Sequence, residues 1–169
     1  VFARRPGNFA AIFATDGSSP PNFITAAEGR HFYGHGCYSL DGRLLYATEN
    51  DFENARGVIG VYDATDQFQR VGEFETGGIG PHEILLMSDG RTLAVANGGI
   101  ETHPDFARQK LNLATMQPNI AFLDRQTGDI ISAQRLPDHN HRLSLRHICM
   151  GSGNDVVFGG QYQGTPDES

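Results

Sequence analysis

Residues 35–48, HGCYSLDGRLLYAT, decide the fold of this chain. Two apolar segments flank Asp41-Gly42, and Asp-Gly supplies the positive φ that a tight hairpin turn requires. The pattern returns from His82 to Ala96 and, more weakly, from His147 to Gly159, where the predicted turn is Gly153-Asn154. The sequence therefore predicts a repeated β-hairpin.

A second kind of hairpin lies between these repeats. Its predicted strand pairs are 58–63 with 70–74 and 119–124 with 129–136, and 8–14 with 22–26 form an earlier copy. Apart from an insertion at about Gly98–Pro118, four short strands recur every ~40–50 residues, which is the period of propeller blades. We predict an all-β fold, a β-propeller of four-stranded antiparallel sheets with WD40/YVTN-like repeats.

The repeat begins and ends on half blades. The predicted divisions are a half blade at 1–34, a blade at 35–81, a blade with the insertion at 82–145 and a half blade at 146–169. This amounts to about three blades, whereas propellers close with about 4–8. We therefore expect the chain to be a fragment of one larger propeller, whose remaining blades are its first partners.

Composition excludes several classes of function. A net charge of −7 argues against a nucleic-acid partner, because phosphate binding needs a basic field. No apolar run approaches the roughly 20 residues that span a bilayer, so no transmembrane segment is predicted. Cys37 and Cys149 are too few for a disulfide scaffold. We expect both to be small buried hydrophobes and not to form a disulfide.

The repeat histidines are the candidate site. His35, His82 and His147 are predicted to begin the innermost strand of successive blades, on one face near the central channel. Neutral imidazoles bind transition metals, and the metals expected at this site are Fe, Cu or Zn. The alternative is structural, since a Gly-His pair before the first strand of WD-type blades hydrogen-bonds within the blade. Further residues predicted on this face, as contacts for a ligand or partner, are Glu49, Asn50, Asp51, Asn97, Glu101, His103, Gln161 and Tyr162.

The insertion is longer than most loops that lack a role. It carries Arg108 and Lys110 among apolar residues. It would cover the channel mouth, contact a partner or pack over adjacent blades, and the sequence leaves these alternatives open.

Several longer motifs carry a family resemblance. They include GIGPHE at 78–83, ANGGIETHP at 96–104, MQPN at 116–119 and GQY at 160–162. Together they resemble an uncharacterised exported bacterial β-propeller family, domain of unknown function 1513. The resemblance implies a seven-bladed propeller of roughly twice this length, twin-arginine export and a periplasmic location. It also implies a link to iron uptake through neighbouring imelysin-type proteins, but no demonstrated activity.

Three functional hypotheses follow. The first is a non-catalytic periplasmic propeller that binds a metal ion or a metal-uptake partner protein on its histidine-bearing face. The second is a metal-dependent lactonase or hydrolase, for which Glu49, Asn50, Asn97 and His82 are compatible residue types. The third is a pure protein-interaction scaffold. Catalytic residues cannot be assigned, because the chain has no Gly-x-Ser-x-Gly or His-Glu-x-x-His motif.

Overall fold

The structure is a computed structural model that describes residues 1–3, 8–152 and 155–165. Within these ranges the chain is all-β, as predicted, with short 3₁₀ turns at Pro104–Phe106, Leu113–Thr115 and Asp138–Asn140 and no α-helix. The strands are β1 (Phe9–Ile12), β2 (Asn22–Thr25), β3 (Arg30–Tyr38), β4 (Leu44–Asp51), β5 (Arg56–Asp63), β6 (Gln69–Glu75), β7 (Pro81–Leu86), β8 (Thr92–Asn97), β9 (Asn119–Asp124), β10 (Ile130–Arg135), β11 (Leu143–Met150) and β12 (Val156–Tyr162).

The strands form four antiparallel sheets. Strands β3 to β6 make one four-stranded sheet and β7 to β10 another, each in chain order. The pairs β1–β2 and β11–β12 make two-stranded sheets. Strand β3 packs against β7, and β7 packs against β11, so the first strands of successive sheets lie side by side. This arrangement is consistent with propeller-like blades.

The predicted Asp-Gly turns are present. Gly42 and Gly90 have φ values of 70° and 66°, in the left-handed region that favours glycine. The carboxylate of Asp89 accepts hydrogen bonds from the backbone N–H groups of Arg91 and Thr92, both at 2.8 Å, which closes the second turn. The predicted turn at Gly153-Asn154 lies outside the described residues.

Alternating side chains build the cores between the sheets. Tyr46 on β4 faces a core that includes Leu93 and Val95 of β8, whereas Leu45 and Ala47 face the core shared with β1 and β2. Likewise Ala94 and Ala96 of β8 face Leu145 and Ile148 of β11. Because successive strand residues point to opposite faces, each four-stranded sheet is buried on both sides. The sheets therefore stack face to face.

The first strands of the sheets begin before the predicted divisions: β7 starts at Pro81 instead of residue 82, and β11 starts at Leu143 instead of residue 146. Strand β3 begins at Arg30, so the first four-stranded sheet starts before residue 35. The first residues of β3 pair with the last residues of β4, from Arg30 with Asp51 to Phe32 with Glu49. The N–H of Phe32 also donates a hydrogen bond to Asn8 Oδ1, and the Asn8 side chain donates one to the Arg30 carbonyl. Among the described residues, no helix is long and apolar enough to cross a lipid bilayer.

Candidate metal centre

Three histidine side chains from three sheets meet where the first strands of those sheets lie side by side. His35 lies on β3, His82 on β7 and His147 on β11. One ring nitrogen of each imidazole lies within 4.8 Å of one ring nitrogen of each of the other two. The ring centroids are 5.1 Å apart for His35 and His82, 5.3 Å for His35 and His147, and 4.9 Å for His82 and His147. We call these residues the histidine cluster.

Irregular strand pairing places these histidines. His35 and His147 lie well inside their strands, so the prediction that each repeat histidine begins its strand is wrong for these two. The register shifts fall between Phe32 and Gly36, between Pro81 and Glu83, and between Leu145 and His147. Such bulges redirect side chains and are common beside functional sites. Gly34, with a φ of 121°, supplies the unusual backbone conformation in β3.

Solvent exposure increases across the histidine cluster. His82 is buried, with 6% of its surface exposed. The side chain of His35 is 31% exposed and that of His147 is 66% exposed. The cluster is therefore closed on the His82 side and open on the His147 side, which gives an ion a route from solvent.

One carboxylate, that of Glu83, contacts two of the three imidazoles. Its Oε2 lies 3.0 Å from the Nδ1 of His147, and its Oε1 lies 3.4 Å from the Nδ1 of His35. The same Oε2 accepts a hydrogen bond of 2.9 Å from the N–H of Ile148. A carboxylate that accepts a hydrogen bond from Nδ1 fixes the tautomer and leaves Nε2 as the metal donor. Glu83 is not among the residues predicted for this face, although its position beside a repeat histidine is a usable signal.

The cluster needs only a small contraction to surround an ion. With metal–nitrogen bonds of about 2.0–2.1 Å in tetrahedral geometry, the donor nitrogens lie about 3.4 Å apart. The donors here lie within 4.8 Å of one another, so modest side-chain rotations would close the difference. The residues fit a transition metal in donor type, and in spacing once the side chains have rotated.

Glu49, which the sequence placed on the same face, is part of an internal ion pair. It is fully buried on β4 and accepts hydrogen bonds from the hydroxyl of Tyr62 and, at 2.9 Å, from the guanidinium of Arg70. Burial and the neighbouring Glu49 carboxylate raise the pKa of Tyr62. These contacts join β4, β5 and β6, the last three strands of the sheet.

Asp51 lies in a second ion-pair network. Its carboxylate contacts Arg56 Nε at 2.6 Å and Arg30 Nη1 at 3.1 Å, and it accepts hydrogen bonds from Asn54. Burial alone would raise the pKa of Asp51, but the hydrogen bonds from Arg56 and Asn54 hold that pKa below its ordinary value. The network ties the β4–β5 loop to the start of β3.

Asn50 and Asn97 are buried and support loops. The side-chain amide of Asn50 donates a hydrogen bond of 3.4 Å to the carbonyl of Thr102 in the insertion. The amide of Asn97 donates to the Thr76 carbonyl at 3.0 Å and to Asn119 Oδ1 at 2.9 Å. Both residues therefore have contacts that position loops beside the sheets.

The insertion packs onto the first four-stranded sheet. The ring centroid of His103 lies 5.3 Å from that of Phe52 and 5.9 Å from that of Phe106. Glu101 is half-buried, and its N–H donates a hydrogen bond of 2.7 Å to Asn112 Oδ1. Of the alternatives for this loop, packing over an adjacent sheet is observed.

Gln161 and Tyr162, the last two residues predicted for the histidine-bearing face, lie at the end of strand β12. Gln161 is exposed and Tyr162 half-buried. The carbonyl of Gln161 accepts a hydrogen bond of 2.9 Å from the side chain of Gln163. These residues therefore lie at the far end of the last described sheet.

The two thiols differ in environment, and both are free. Cys37 packs against a buried core, and burial raises its pKa to about 12. Cys149 is exposed, so the expectation of a buried side chain is wrong there. It lies in the two-stranded sheet of β11 and β12, where most residues of β12 are exposed.

Comparison with known proteins gives a family but no activity. A family model described as "Protein of unknown function (DUF1513)" matches residues 1–169. No curated protein matches. Nine chains of solved structures match, among them Kuenenia stuttgartiensis hydrazine synthase, with a TM-score of 0.48 and 14% identity over 76% of this chain and 43% of that chain. The chain thus spans less than half the length of that structure.

Proposed function

The chain belongs to the DUF1513 family of proteins of unknown function, and we propose that it is a non-catalytic protein that binds a transition metal ion at the histidine cluster. The single observation that carries the proposal is the convergence of His35, His82 and His147, whose donor nitrogens lie within 4.8 Å of one another. These residues come from three sheets, so only the folded chain brings the donors together.

The donor set favours borderline metal ions. Imidazole nitrogen suits Zn, Cu, Fe and Ni, whereas Mg and Ca prefer oxygen. A site with three protein donors and an open side keeps a coordination position for water or an exogenous ligand. The exposure of His147 places that open side towards solvent.

Glu83 supports the same proposal. Its contacts to the Nδ1 atoms of His35 and His147 match the arrangement in which a carboxylate orients metal-binding imidazoles. We therefore assign metal ligation to the Nε2 atoms of His35 and His147, with Glu83 as their orienting partner.

Elemental analysis and metal titration test the proposal. The full chain, purified without a histidine tag, is expected to bind one equivalent of Zn²⁺ or Cu²⁺. The variant with His35→Ala, His82→Ala and His147→Ala is expected to lose that equivalent. A matched control replaces His103, His139 and His141, which lie outside the cluster, and should retain it. Equal metal content in the two triple variants would contradict the proposal.

The arrangement of the sheets supports the proposal that the histidine cluster belongs to a closed propeller. Successive sheets stack face to face, and their first strands β3, β7 and β11 lie side by side. In a closed propeller these strands would line the central channel, and the histidine cluster would lie at that channel. An electron cryomicroscopy map of the full-length family member would count the blades directly.

We also propose a periplasmic location and a metal-uptake protein as partner. The support for both is the family resemblance carried by the motifs at 78–83 and 96–104. Fractionation of cells with and without a functional twin-arginine pathway tests the location. Co-purification from the periplasm in wild-type and triple-alanine forms tests whether the partner needs the histidine cluster.

A further inference from the structure

A cavity of about 600 Å³ lies between the segment that leads into β3 and the insertion. Its apolar walls are formed by Ala26, Ala27, Phe52, Pro104 and Ala107. Sites for small molecules have volumes of ≈ 300–1,000 Å³, with mostly apolar walls and a few polar groups. None of the histidine-cluster residues lines this cavity.

Aromatic stacking fixes one wall of the cavity. The ring of Phe52 stacks on that of His31, with centroids 5.6 Å apart and planes at 21°. His31 in turn stacks on Tyr33 at 5.9 Å, and His103 packs edge-on against Phe52. The cavity therefore has a preformed aromatic wall, which favours a planar apolar ligand group.

Two exposed charges of opposite sign, besides Arg30, line the cavity. Arg30 also lines the cavity, but its guanidinium is already paired with Asp51 at 3.1 Å and with Glu73 at 3.0 Å. Glu28 and Arg108 also line the cavity, and both are exposed. Within the described part of the chain, neither side chain makes a hydrogen bond or an ion pair. A ligand would meet one carboxylate and one guanidinium.

We propose that this cavity binds a small zwitterion with a planar apolar body, of the aromatic amino-acid class. The ring would pack on the aromatic wall, the ligand carboxylate would pair with Arg108, and its ammonium group would pair with Glu28. The net charge of −7 disfavours a polyanionic ligand. This site goes beyond the proposed metal binding and does not depend on it.

Calorimetric titration of the full chain with L-phenylalanine and L-tryptophan tests the proposal. We expect saturable binding, roughly tenfold weaker in Arg108→Gln because a charge-assisted hydrogen bond is lost. Lys110→Gln is the matched control, since Lys110 lies in the same insertion but contacts Gln163 and does not line the cavity. Its affinity should equal that of the wild type.

Two ligand analogues and one cavity-filling variant complete the test. Phenethylamine lacks the carboxylate and 3-phenylpropionate lacks the ammonium group, so both should bind more weakly than L-phenylalanine. Ala27→Leu narrows the cavity and should abolish binding while the thermal unfolding temperature and metal content stay unchanged. The proposal is overturned if L-phenylalanine and L-tryptophan show no saturable binding up to about ten millimolar. It is also overturned if the two analogues bind as tightly as L-phenylalanine, or if Arg108→Gln keeps the wild-type affinity. Metal content, measured in the same samples, reports separately on the histidine cluster.

Discussion

His147 Nδ1 lies 3.0 Å from Glu83 Oε2, although the two residues are 64 positions apart in the chain. The contact joins β11 to β7, and the same carboxylate also reaches His35 on β3. Three sheets are thus linked through one side chain at the point where their first strands meet. In the proposed metal centre this link would orient the donors, because a fixed imidazole is a better-placed donor.

The Glu83→Gln variant is expected to bind Zn²⁺ 10–100-fold more weakly than the wild type, because loss of an orienting partner has this effect in other metal sites. Competition with a chromogenic chelator measures the affinity. The control is Glu75→Gln on β6, whose side chain is 65% exposed and contacts Arg56. Wild-type affinity in Glu83→Gln would show that the carboxylate does not orient the donors.

The two cysteines are expected to react at very different rates. At pH 8 a thiol reagent should modify the exposed Cys149 quickly, whereas Cys37 should stay protected in the native protein. Burial raises the pKa of Cys37 to about 12, so little reactive thiolate is present. Mass spectrometry of the modified peptides gives both rates. Rapid labelling of Cys37 without denaturant would contradict the described packing of β3.

The ion pair inside the first four-stranded sheet is expected to be important for stability. In Glu49→Ala the partly buried Arg70 keeps only Glu73 as an ion-pair partner, and the Tyr62 hydroxyl loses its acceptor. This variant should therefore lower the free energy of unfolding by about 3 kcal/mol. Tyr62→Phe should cost about 1 kcal/mol. Urea denaturation measures both changes. A loss below about 1 kcal/mol in Glu49→Ala would contradict the assigned role.

Acid is expected to destabilise the protein through Asp51 and Glu73. Hydrogen bonds from Arg30 hold the pKa of Glu73 below its ordinary value, and bonds from Arg56 do so for Asp51 despite its burial. Their contribution is therefore present above the unfolded-state pKa of about 4 and is lost as pH falls through the lower folded-state values. Urea denaturation between about pH 5 and pH 2 should show this loss.

A variant carrying Asp51→Asn and Glu73→Gln should have a shallower dependence of unfolding free energy on pH in the same window. The control is Asp66→Asn, an exposed acid outside the network. If the double variant kept the wild-type acid dependence, other carboxylates would be responsible for it.

Much of the fold was predictable because its signals are local. Asp41-Gly42 and Asp89-Gly90 mark turns because a tight turn needs a residue with positive φ. The continuous apolar run at residues 44–47 marks a strand that is buried on both faces. The start of β3 at Arg30 was not predictable, because it depends on pairing with the end of β4, to which no local turn signal points.

The site was predictable in part. Repetition placed His35, His82 and His147 on equivalent strands, and the structure brings them together. The bulges that redirect them and the reach of Glu83 between sheets depend on register and stacking, which no short motif encodes. Glu49 and Asp51 have the residue types of a ligand site, but only the structure shows their arginine partners.

The most direct test of the account is the X-ray absorption spectrum of the full chain loaded with one equivalent of Zn²⁺ or Cu²⁺. Three imidazole nitrogens at about 2.0–2.1 Å are predicted, with the outer-shell scattering of histidine rings. That signal should vanish in the variant that lacks His35, His82 and His147. A first shell of oxygen donors alone, or an unchanged spectrum in that variant, would contradict the central claim that the histidine cluster is a metal centre.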